Sequence, residues 1–362
     1  MTEKLYYRDA YIKDFNAIVI SSTACEGGFD IVLDKTAFFP EEGGQSSDTG
    51  TIGKAKVCHV YEREGVVHHV VDIDLALGEH NCAVDFRARF EKMQCHSAEH
   101  ILCGVIHRLF GFDNVGFHLG EDEVTFDVDG VLDREQLDRV EKIANEAVFA
   151  NIKVETFFPQ ADELANIEYR SKLDITEGVR LVRIGEVDTC ACCAPHVAYT
   201  GEIGLIKILD FMKHRGGTRI WMVAGWRALA DYRAKYDNIK RISAMLCTPQ
   251  LETADTLEAY IADSEGAKQA LKLARLKIAE LEAQRVEDTS GNAVFLLTDF
   301  TIPELIAFSN IANKRVSGIT VALSGCEGDY KYVISSTSVD LRAILPVKPS
   351  ATITSATPSE IS

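Results

Sequence analysis

Two short segments, far apart in the sequence, carry side chains that could bind the same metal ion. The segment HSAEH places the imidazoles of His96 and His100 one helical turn apart. The segment CCAPH places the thiol of Cys192 and the imidazole of His196 at the same spacing. Zinc accepts four nitrogen and sulfur ligands in a tetrahedral arrangement. We therefore predict that His96, His100, Cys192 and His196 are the ligands of one Zn²⁺ ion.

A glycine-rich loop could complete such a site. Gly43 and Gly44 permit a sharp turn or a close backbone approach, and Gln45 follows them with both a donor and an acceptor group. Gln45 could donate to a developing oxyanion or orient a water molecule. The ion itself could lower the pKa of a water molecule, polarise an ester carbonyl or position a substrate. The residues alone leave these roles open, and an ordinary hairpin loop is the alternative for residues 43–45.

The same first segment also matches a peptidase signature. In the H-x-x-E-H pattern of inverted zinc peptidases, the glutamate, here Glu99, is the general base. This interpretation leaves the second ligand pair and the glycine-rich loop without a role. A zinc metallopeptidase is therefore an alternative to the function developed below.

The composition is that of a globular enzyme. The chain has 362 residues, of which 46% are hydrophobic and 26% charged, so two or three domains with proper cores are expected. No segment approaches the roughly 18 apolar residues of a membrane span, and the first residues lack the apolar core of a secretory signal. We expect a cytoplasmic protein without a membrane partner. Its ten cysteines are then thiols or metal ligands rather than disulfides.

The pattern of the sequence predicts an α+β fold in several parts. Residues 1–90 read as short strands that form a small β-barrel or sandwich bearing the Gly-Gly-Gln loop. Residues 91–225 alternate between helix and strand and form an α+β domain with the predicted zinc site. An apolar stripe from Ala98 to Leu109 marks its first helix, and Asp133 is expected to cap a second one.

The remainder is predicted to be an extension. Residues 226–288 form a helical, coiled-coil-like arm, through which the chain could form a homodimer. Residues 289–345 form a small α/β unit. Residues 346–362 are rich in Ser, Thr and Pro, and we expect them to be disordered.

Taken together, these motifs resemble the editing domain of alanyl-tRNA synthetases and its free-standing relatives, the AlaX alanyl-tRNA editing proteins. The resemblance rests on the order of four motifs over about 200 residues. They are FPEEGGQ with Asp48 and Gly50, HSAEH, CCAPHV, and TGEIG from Thr200. The arm and the terminal unit resemble the long AlaX form, whose extension serves oligomerisation and tRNA binding.

The resemblance implies a hydrolase that removes a wrong amino acid from tRNA. The substrate would be Ser-tRNA(Ala) or Gly-tRNA(Ala), and the aminoacyl ester would be cleaved with zinc assistance and without ATP. The four metal ligands would map onto those of the family, and Gln45 onto the glutamine near the reacting ester. The catalytic residues would thus be Gln45, His96, His100 and Cys192. The substrate would contact Gly43 and Gly44. An activated ester needs little acid–base assistance, which agrees with this chemistry.

Three features depart from the family pattern. Cys193-Ala194-Pro195 separates the second ligand pair, where the family more often has small residues. Phe117 stands where a small-form relative has a threonine that is linked to amino-acid discrimination, so we expect Phe117 to contact the substrate. The C-terminal extension also lacks its Gly-rich end.

The net charge of −17 requires that tRNA be met by local positive charge. Lys213, His214, Arg215 and Arg219 form one basic group, and we predict that Arg215 and Arg219 contact the substrate. Further lysines and arginines lie along the arm. Deacylation should then weaken steeply with salt. A non-catalytic, zinc-stabilised tRNA-binding module is the third candidate.

Overall fold

The computed structural model describes residues 1–121, 123–171, 178–326 and 329–343. The chain divides into two compact units, Met1–Asn238 and Ile239–Ser362, which are treated separately below. The chain combines helices with several largely antiparallel β-sheets, so the predicted α+β class is confirmed. Within the described ranges, no helix is both long and apolar enough to cross a membrane.

The first unit begins with short strands. Their bounds are β1 Glu3–Lys4, β2 Asp14–Cys25, β3 Gly28–Leu33, β4 Lys35–Thr36, β5 Gly50–Ile52, β6 Ala55–Arg63, β7 Val66–Val71 and β8 Gly78–Val84. Six of them follow the order β2-β3-β7-β6-β5-β8 and close on themselves, because β2 also pairs with β8. Alternate side chains such as Ile31, Leu33 and Val57 fill the interior completely buried. The Gly-Gly-Gln loop lies between β4 and β5.

A long helix, α1 (Phe86–Phe110), follows the last of these strands. The Asp85 side chain caps it by accepting a hydrogen bond from the Ala88 amide, and Gly111 ends it at φ 72°. Nearly all of its side chains from Lys92 to Ile106 are buried, so α1 runs through the centre of the unit. This placement explains why its pattern is apolar on more than one face.

A four-stranded antiparallel sheet and a second helix pack around α1. The sheet has the order β14-β15-β10-β9, with β9 Asn114–Leu119, β10 Val124–Val128, β14 Ile206–His214 and β15 Gly217–Ala224. Asp133 caps helix α2 (Arg134–Phe149), as predicted, and its side chain forms a capping box with Gln136. Their apolar side chains and those of α1 form one core cluster.

A three-stranded sheet immediately precedes the second predicted ligand pair in the sequence. Its order is β11-β12-β13, with β11 Val154–Phe157, β12 Leu181–Ile184 and β13 Asp188–Ala191. The short helix α3 (Ala161–Leu164) lies between β11 and β12. The segment Thr200–Ile203, further along the chain, is a 3-10 turn.

Helix α4 (Gly225–Leu246) begins in the first unit and ends in the second. The second unit contains α5 (Thr253–Gln284) and then β16 Ala293–Leu297, α6 Ile302–Ala312, β17 Thr320–Cys326 and β18 Asp329–Ser335. Ala279, Ala283, Leu305 and Phe308 belong to its small core. The predicted disordered tail, 346–362, lies outside the described residues.

Candidate metal and ester-binding site

Helix α1 places the first predicted ligand pair on one buried face. His96 and His100 are 4% and 3% exposed, and their ring centroids lie 5.3 Å apart. The i,i+4 spacing accounts for this proximity, because residues four apart on a helix are neighbours. The local prediction for this pair therefore holds in the structure.

The second pair lies in the loop that follows β13. Arg180 holds this loop, since its Nη1 donates to the carbonyl oxygens of Cys192 and Ala194, each at 2.9 Å. The Cys192 amide in turn donates to the Arg180 carbonyl at 3.0 Å. The ring of His196 then lies 4.8 Å from that of His96 and 4.6 Å from that of His100.

The four predicted ligands converge on one point. One donor atom from each of His96, His100, Cys192 and His196 lies within 4.8 Å of the others. The Cys192 sulfur is 3.5 Å from His96 Nε2 and 3.4 Å from His196 Nε2. Ligands bound about 2.0–2.3 Å from a tetrahedral zinc ion are separated by distances of this order. The donor set and its convergence therefore fit a zinc ion.

Each imidazole is oriented by a partner on its other nitrogen. His96 Nδ1 is 2.8 Å from Gln45 Oε1, His100 Nδ1 is 3.1 Å from Asp188 Oδ2, and His196 Nδ1 is 3.0 Å from Ser97 Oγ. Such partners fix the ring and its tautomer in metal sites. The partners differ in charge, because only the one on His100 is a carboxylate.

Arg170 in turn holds Asp188. Its Nε and Nη2 donate to the two carboxylate oxygens at 2.8 and 2.9 Å. Burial opposes ionisation of Asp188, but His100 and Arg170 outweigh it and lower the pKa of this carboxyl. The carboxylate is therefore ionised and fixed in place beside His100.

The electrostatics of the four donors suit a cation. Burial acts to raise the pKa of the Cys192 thiol, but His96 and His196 outweigh it and hold that pKa well below its usual range. Burial lowers the pKa of His196 to about 3, so this imidazole is neutral. Burial also acts against His100, but Cys190, Asp188 and Cys192 raise its pKa well above the usual value. The surroundings of Cys192 therefore favour its thiolate form, which is the form that binds a metal ion.

The Gly-Gly-Gln loop lies beside this cluster and contacts β9 through an isolated β-bridge between Gln45 and Leu119. The Leu119 amide donates to the Gly44 carbonyl at 2.7 Å, and the Ser46 amide donates to the Leu119 carbonyl at 3.2 Å. Gly44 has a φ of 84°, and a Cβ atom there would overlap the Phe117 carbonyl. Only glycine fits this close approach to β9.

Gln45 brings an unused donor to the cluster. Its side chain is 0% exposed, and its Oε1 lies against His96 as described. Its Nε2 is buried without a hydrogen-bond partner among the described residues. A buried amide donor without a partner costs free energy of about 1–3 kcal/mol, so a bound acceptor would relieve it.

The remaining predicted substrate contacts fall in different places. The Phe117 ring lies 4.7 Å from that of His96, so Phe117 borders the cluster. Arg219 forms a two-pronged ion pair with Asp127 at 2.7 and 2.8 Å. Arg215 is exposed at the tight turn between β14 and β15, with a φ of 47°. Gly43 lies against Cys193, whose sulfur would be 3.9 Å from an added Cβ.

The geometry gives no support to Glu99 as a general base. Its Oε1 accepts hydrogen bonds from Cys103 at 3.2 Å and from Asn114, and its side chain is buried with them. These partners hold the carboxylate in the core of the unit. The peptidase alternative therefore loses the residue on which it depends.

Sequence reasoning missed the residues that orient the ligands. Asp188 and Arg170 carry no motif, and their role follows only from the pairing of β13 with its neighbours. Ser97 stands inside HSAEH, where the adjacent histidines could have drawn attention to it. Lys92 and Arg89 precede that segment on the same helix face and were not singled out.

The chain is similar to several known proteins. Residues 179–243, which include Cys192 and His196, match the family model described as "Threonyl and Alanyl tRNA synthetase second additional domain". An alanine–tRNA ligase of Halobacterium salinarum is 32% identical over 354 residues, covering 91% of this chain and 38% of the ligase. The alanyl-tRNA editing protein AlaX-L of Pyrococcus horikoshii is 30% identical over 241 residues, covering 64% of this chain and 60% of AlaX-L.

The chain thus spans less than two thirds of these relatives. Within the chain, it is residues 179–243 that are similar to the second additional domain of threonyl- and alanyl-tRNA synthetases. More particularly, the matches confirm the resemblance to AlaX-type alanyl-tRNA editing proteins that the motifs indicate.

Proposed function

We propose that the chain hydrolyses the ester that joins a wrong amino acid to tRNA(Ala). Its substrates are Ser-tRNA(Ala) and Gly-tRNA(Ala), and its products are the free amino acid and the tRNA. The observation that carries the proposal is the convergence of four nitrogen and sulfur donors beside the unpartnered amide of Gln45. Hydrolysis of an activated ester is downhill, so no ATP is needed.

His96, His100, Cys192 and His196 would hold a zinc ion. When bound, zinc supplies Lewis-acid polarisation and lowers the pKa of water. Gln45 uses its two ends differently: Oε1 keeps the His96 ring in place, and Nε2 donates to the ester carbonyl oxygen as negative charge develops there. Phe117 and the chain at Gly43 and Gly44 border the bound amino acid and exclude bulk water.

The tRNA would be met by local positive charge on the acidic body. Helix α4 carries five basic residues, Arg227, Arg233, Lys235, Lys240 and Arg241, and only two acidic ones, Asp231 and Asp237. The exposed Arg215 adds a cation at the β14–β15 turn. If these contact phosphates, the apparent affinity falls steeply as salt rises from 50 to 200 mM, as counterion release requires. A flat salt dependence would contradict this part of the proposal.

The proposal also includes the domains predicted from the sequence and their roles. Residues 1–90 present the Gly-Gly-Gln loop, 91–225 form the zinc editing domain, and 226–288 form the helical arm. Residues 289–345 form the accessory α/β unit. A homodimer through the arm is supported by exposed apolar side chains on α5, among them Leu257, Ile261 and Leu271. Sedimentation equilibrium at several concentrations tests the dimer, and a single species of 40.0 kDa would contradict it.

One assay tests the function against its alternatives. The zinc-loaded protein is incubated with seryl-, glycyl- and alanyl-tRNA(Ala), and in parallel with casein. We expect release of serine and glycine but not alanine, and loss of release in His100→Ala and Cys192→Ala. Arg139→Ala, an exposed substitution on α2, serves as the control that keeps activity.

The other outcomes point to the other candidates. Casein cleavage that disappears in Glu99→Gln would identify a peptidase and overturn the proposal. Binding of tRNA without any deacylation would identify a non-catalytic zinc-stabilised module.

A further inference from the structure

Lys92 is a buried cation whose place in the structure the proposed chemistry does not explain. It lies on α1 one helical turn before His96, and it is 6% exposed. Its Nζ donates to the carbonyl oxygen of Ser46 at 3.2 Å and to that of Ser47. Both partners are neutral, and burial lowers the pKa of this ammonium group. A buried charge with neutral partners is costly, so it calls for a function.

Arg89, one turn earlier on α1, holds the next residue of the same loop. Its side chain is completely buried, and its Nε lies 3.0 and 2.9 Å from the two carboxylate oxygens of Asp48. Asp48 closes the loop, because its Oδ2 accepts from the Phe39 amide at 2.6 Å and its amide donates to the Phe39 carbonyl at 3.0 Å. Arg89 therefore fixes the base of the loop.

These contacts form a series along one helix face. The three helix residues are spaced three and four apart, so they share one face. Arg89 holds Asp48, Lys92 holds the carbonyl groups of Ser46 and Ser47, and His96 contacts Gln45. Gln45 is preceded by Gly43 and Gly44, which do not by themselves restrict the backbone of the loop. The main chain next to Gln45 is thus restrained by its bonds to β9 and by Lys92.

We propose that Lys92 is a positioning residue for Gln45. Its ammonium group holds the main chain of Ser46 and Ser47, so that Gln45 reaches His96 with Oε1 and directs Nε2 to the ester. The effect on catalysis rests on the proposed function, but the effect on the loop does not. Lys92 acts through Gln45 and does not itself contact the substrate.

A double-mutant cycle tests the proposal. Lys92→Met keeps the length of the side chain and removes the charge and its donors. We expect kcat for seryl-tRNA(Ala) to fall by about 10- to 100-fold with KM little changed, because the lost interaction acts on the transition state. In a Gln45→Ala background the same change should cost little more, since the residue through which Lys92 acts is gone. Lys142→Met, an exposed lysine on α2, is the matched control and should leave kcat unchanged.

Two readouts are independent of turnover. Hydrogen exchange at the Ser46 amide should become faster in Lys92→Met, because its bond to Leu119 opens more often. Zinc affinity should fall by about 10-fold in both Lys92→Met and Gln45→Ala, because His96 loses its orienting partner. If Lys92→Met does not fold, Lys92→Arg is used instead. Its bulkier cation shifts the same carbonyls and should lower kcat only while Gln45 is present.

The outcomes separate the two proposals. If the wild-type protein does not deacylate seryl-tRNA(Ala), the proposed function is refuted. The positioning role would still be supported if Lys92→Met shows faster hydrogen exchange at the Ser46 amide and weaker zinc binding than wild type. The positioning role would be overturned, even in an active enzyme, if the effects of Lys92→Met and Gln45→Ala on kcat were fully additive and hydrogen exchange at the Ser46 amide were unchanged.

Discussion

Gly43 and Gly44 are adjacent, and both have positive φ angles, of 62° and 84°, yet alanine should affect them very differently. At Gly43 an added Cβ meets only the Cys193 sulfur, at an ordinary 3.9 Å. The cost of Gly43→Ala is then that of the left-handed backbone, about 1–2 kcal/mol. At Gly44 an added Cβ would also overlap the Phe117 carbonyl oxygen and lie 3.0 Å from its carbonyl carbon.

Relief of that overlap requires the loop to move about 1 Å away from β9. The movement breaks the bond between the Leu119 amide and the Gly44 carbonyl, which contributes about 1 kcal/mol. Gly44→Ala should therefore lower the free energy of unfolding by about 2–3 kcal/mol, against about 1–2 kcal/mol for Gly43→Ala. A displacement of about 1 Å at Gln45 should also reduce kcat by about 100-fold.

The assay compares the two variants with wild type by urea unfolding and by deacylation of seryl-tRNA(Ala). The pair is matched in residue type, sequence position and φ sign, so only the approach to β9 differs. Equal effects of the two substitutions would refute the argument, because they would mean that backbone strain alone matters. A destabilised but fully active Gly44→Ala would show that Gln45 does not depend on the position of this loop.

Three further expectations follow from particular contacts. Asp188→Asn should weaken zinc binding by about 10- to 100-fold, because His100 loses a carboxylate partner that Arg170 holds in place; chelator competition measures this, and unchanged affinity would contradict it. Removal of zinc by a chelator should abolish deacylation, and added zinc should restore it; activity that survives in metal-free protein would be evidence against the assigned ligands. In the second unit, Arg275 holds the pKa of Glu304 at about 2, below its ordinary value of 4.5. This lowered pKa stabilises the fold above about pH 4.5, and the contribution is lost as the pH falls towards 2. Because the Arg275 side chain is 38% exposed, solvent screens the ion pair, and we expect only a small decrease in the free energy of unfolding between pH 6 and pH 3, measured by urea unfolding. Glu304→Gln should remove that part of the pH dependence, and an identical pH profile in the variant would exclude the ion pair as its cause.

Much of the fold was predictable from short-range patterns. The strands before residue 85, helix α2 with its Asp133 cap, and the change to a long helical stretch after residue 225 all agree with the structure. Helix α1 begins at Phe86, earlier than its apolar stripe suggests, because its cap is Asp85.

The candidate site likewise has features that follow from local sequence and features that depend on the tertiary structure. The sequence by itself determined which residue types could bind a metal ion and that His96 and His100 share a helix face, because an i,i+4 relation is local. It also indicated the glycines that let Gln45 approach another strand. Only the tertiary structure decided that Gln45, Cys192 and His196 meet that face, since their proximity depends on the packing of distant strands on α1.

The roles of the charged side chains around the site depended still more on the tertiary structure. Arg219, predicted to contact substrate from its basic neighbours, is held by Asp127 across two paired strands. Lys92 and Asp188 lie outside every motif, yet one holds the loop of Gln45 and the other orients His100. A charged side chain takes its role from the partner it finds when it leaves water, and that partner is chosen by the fold rather than by sequence spacing.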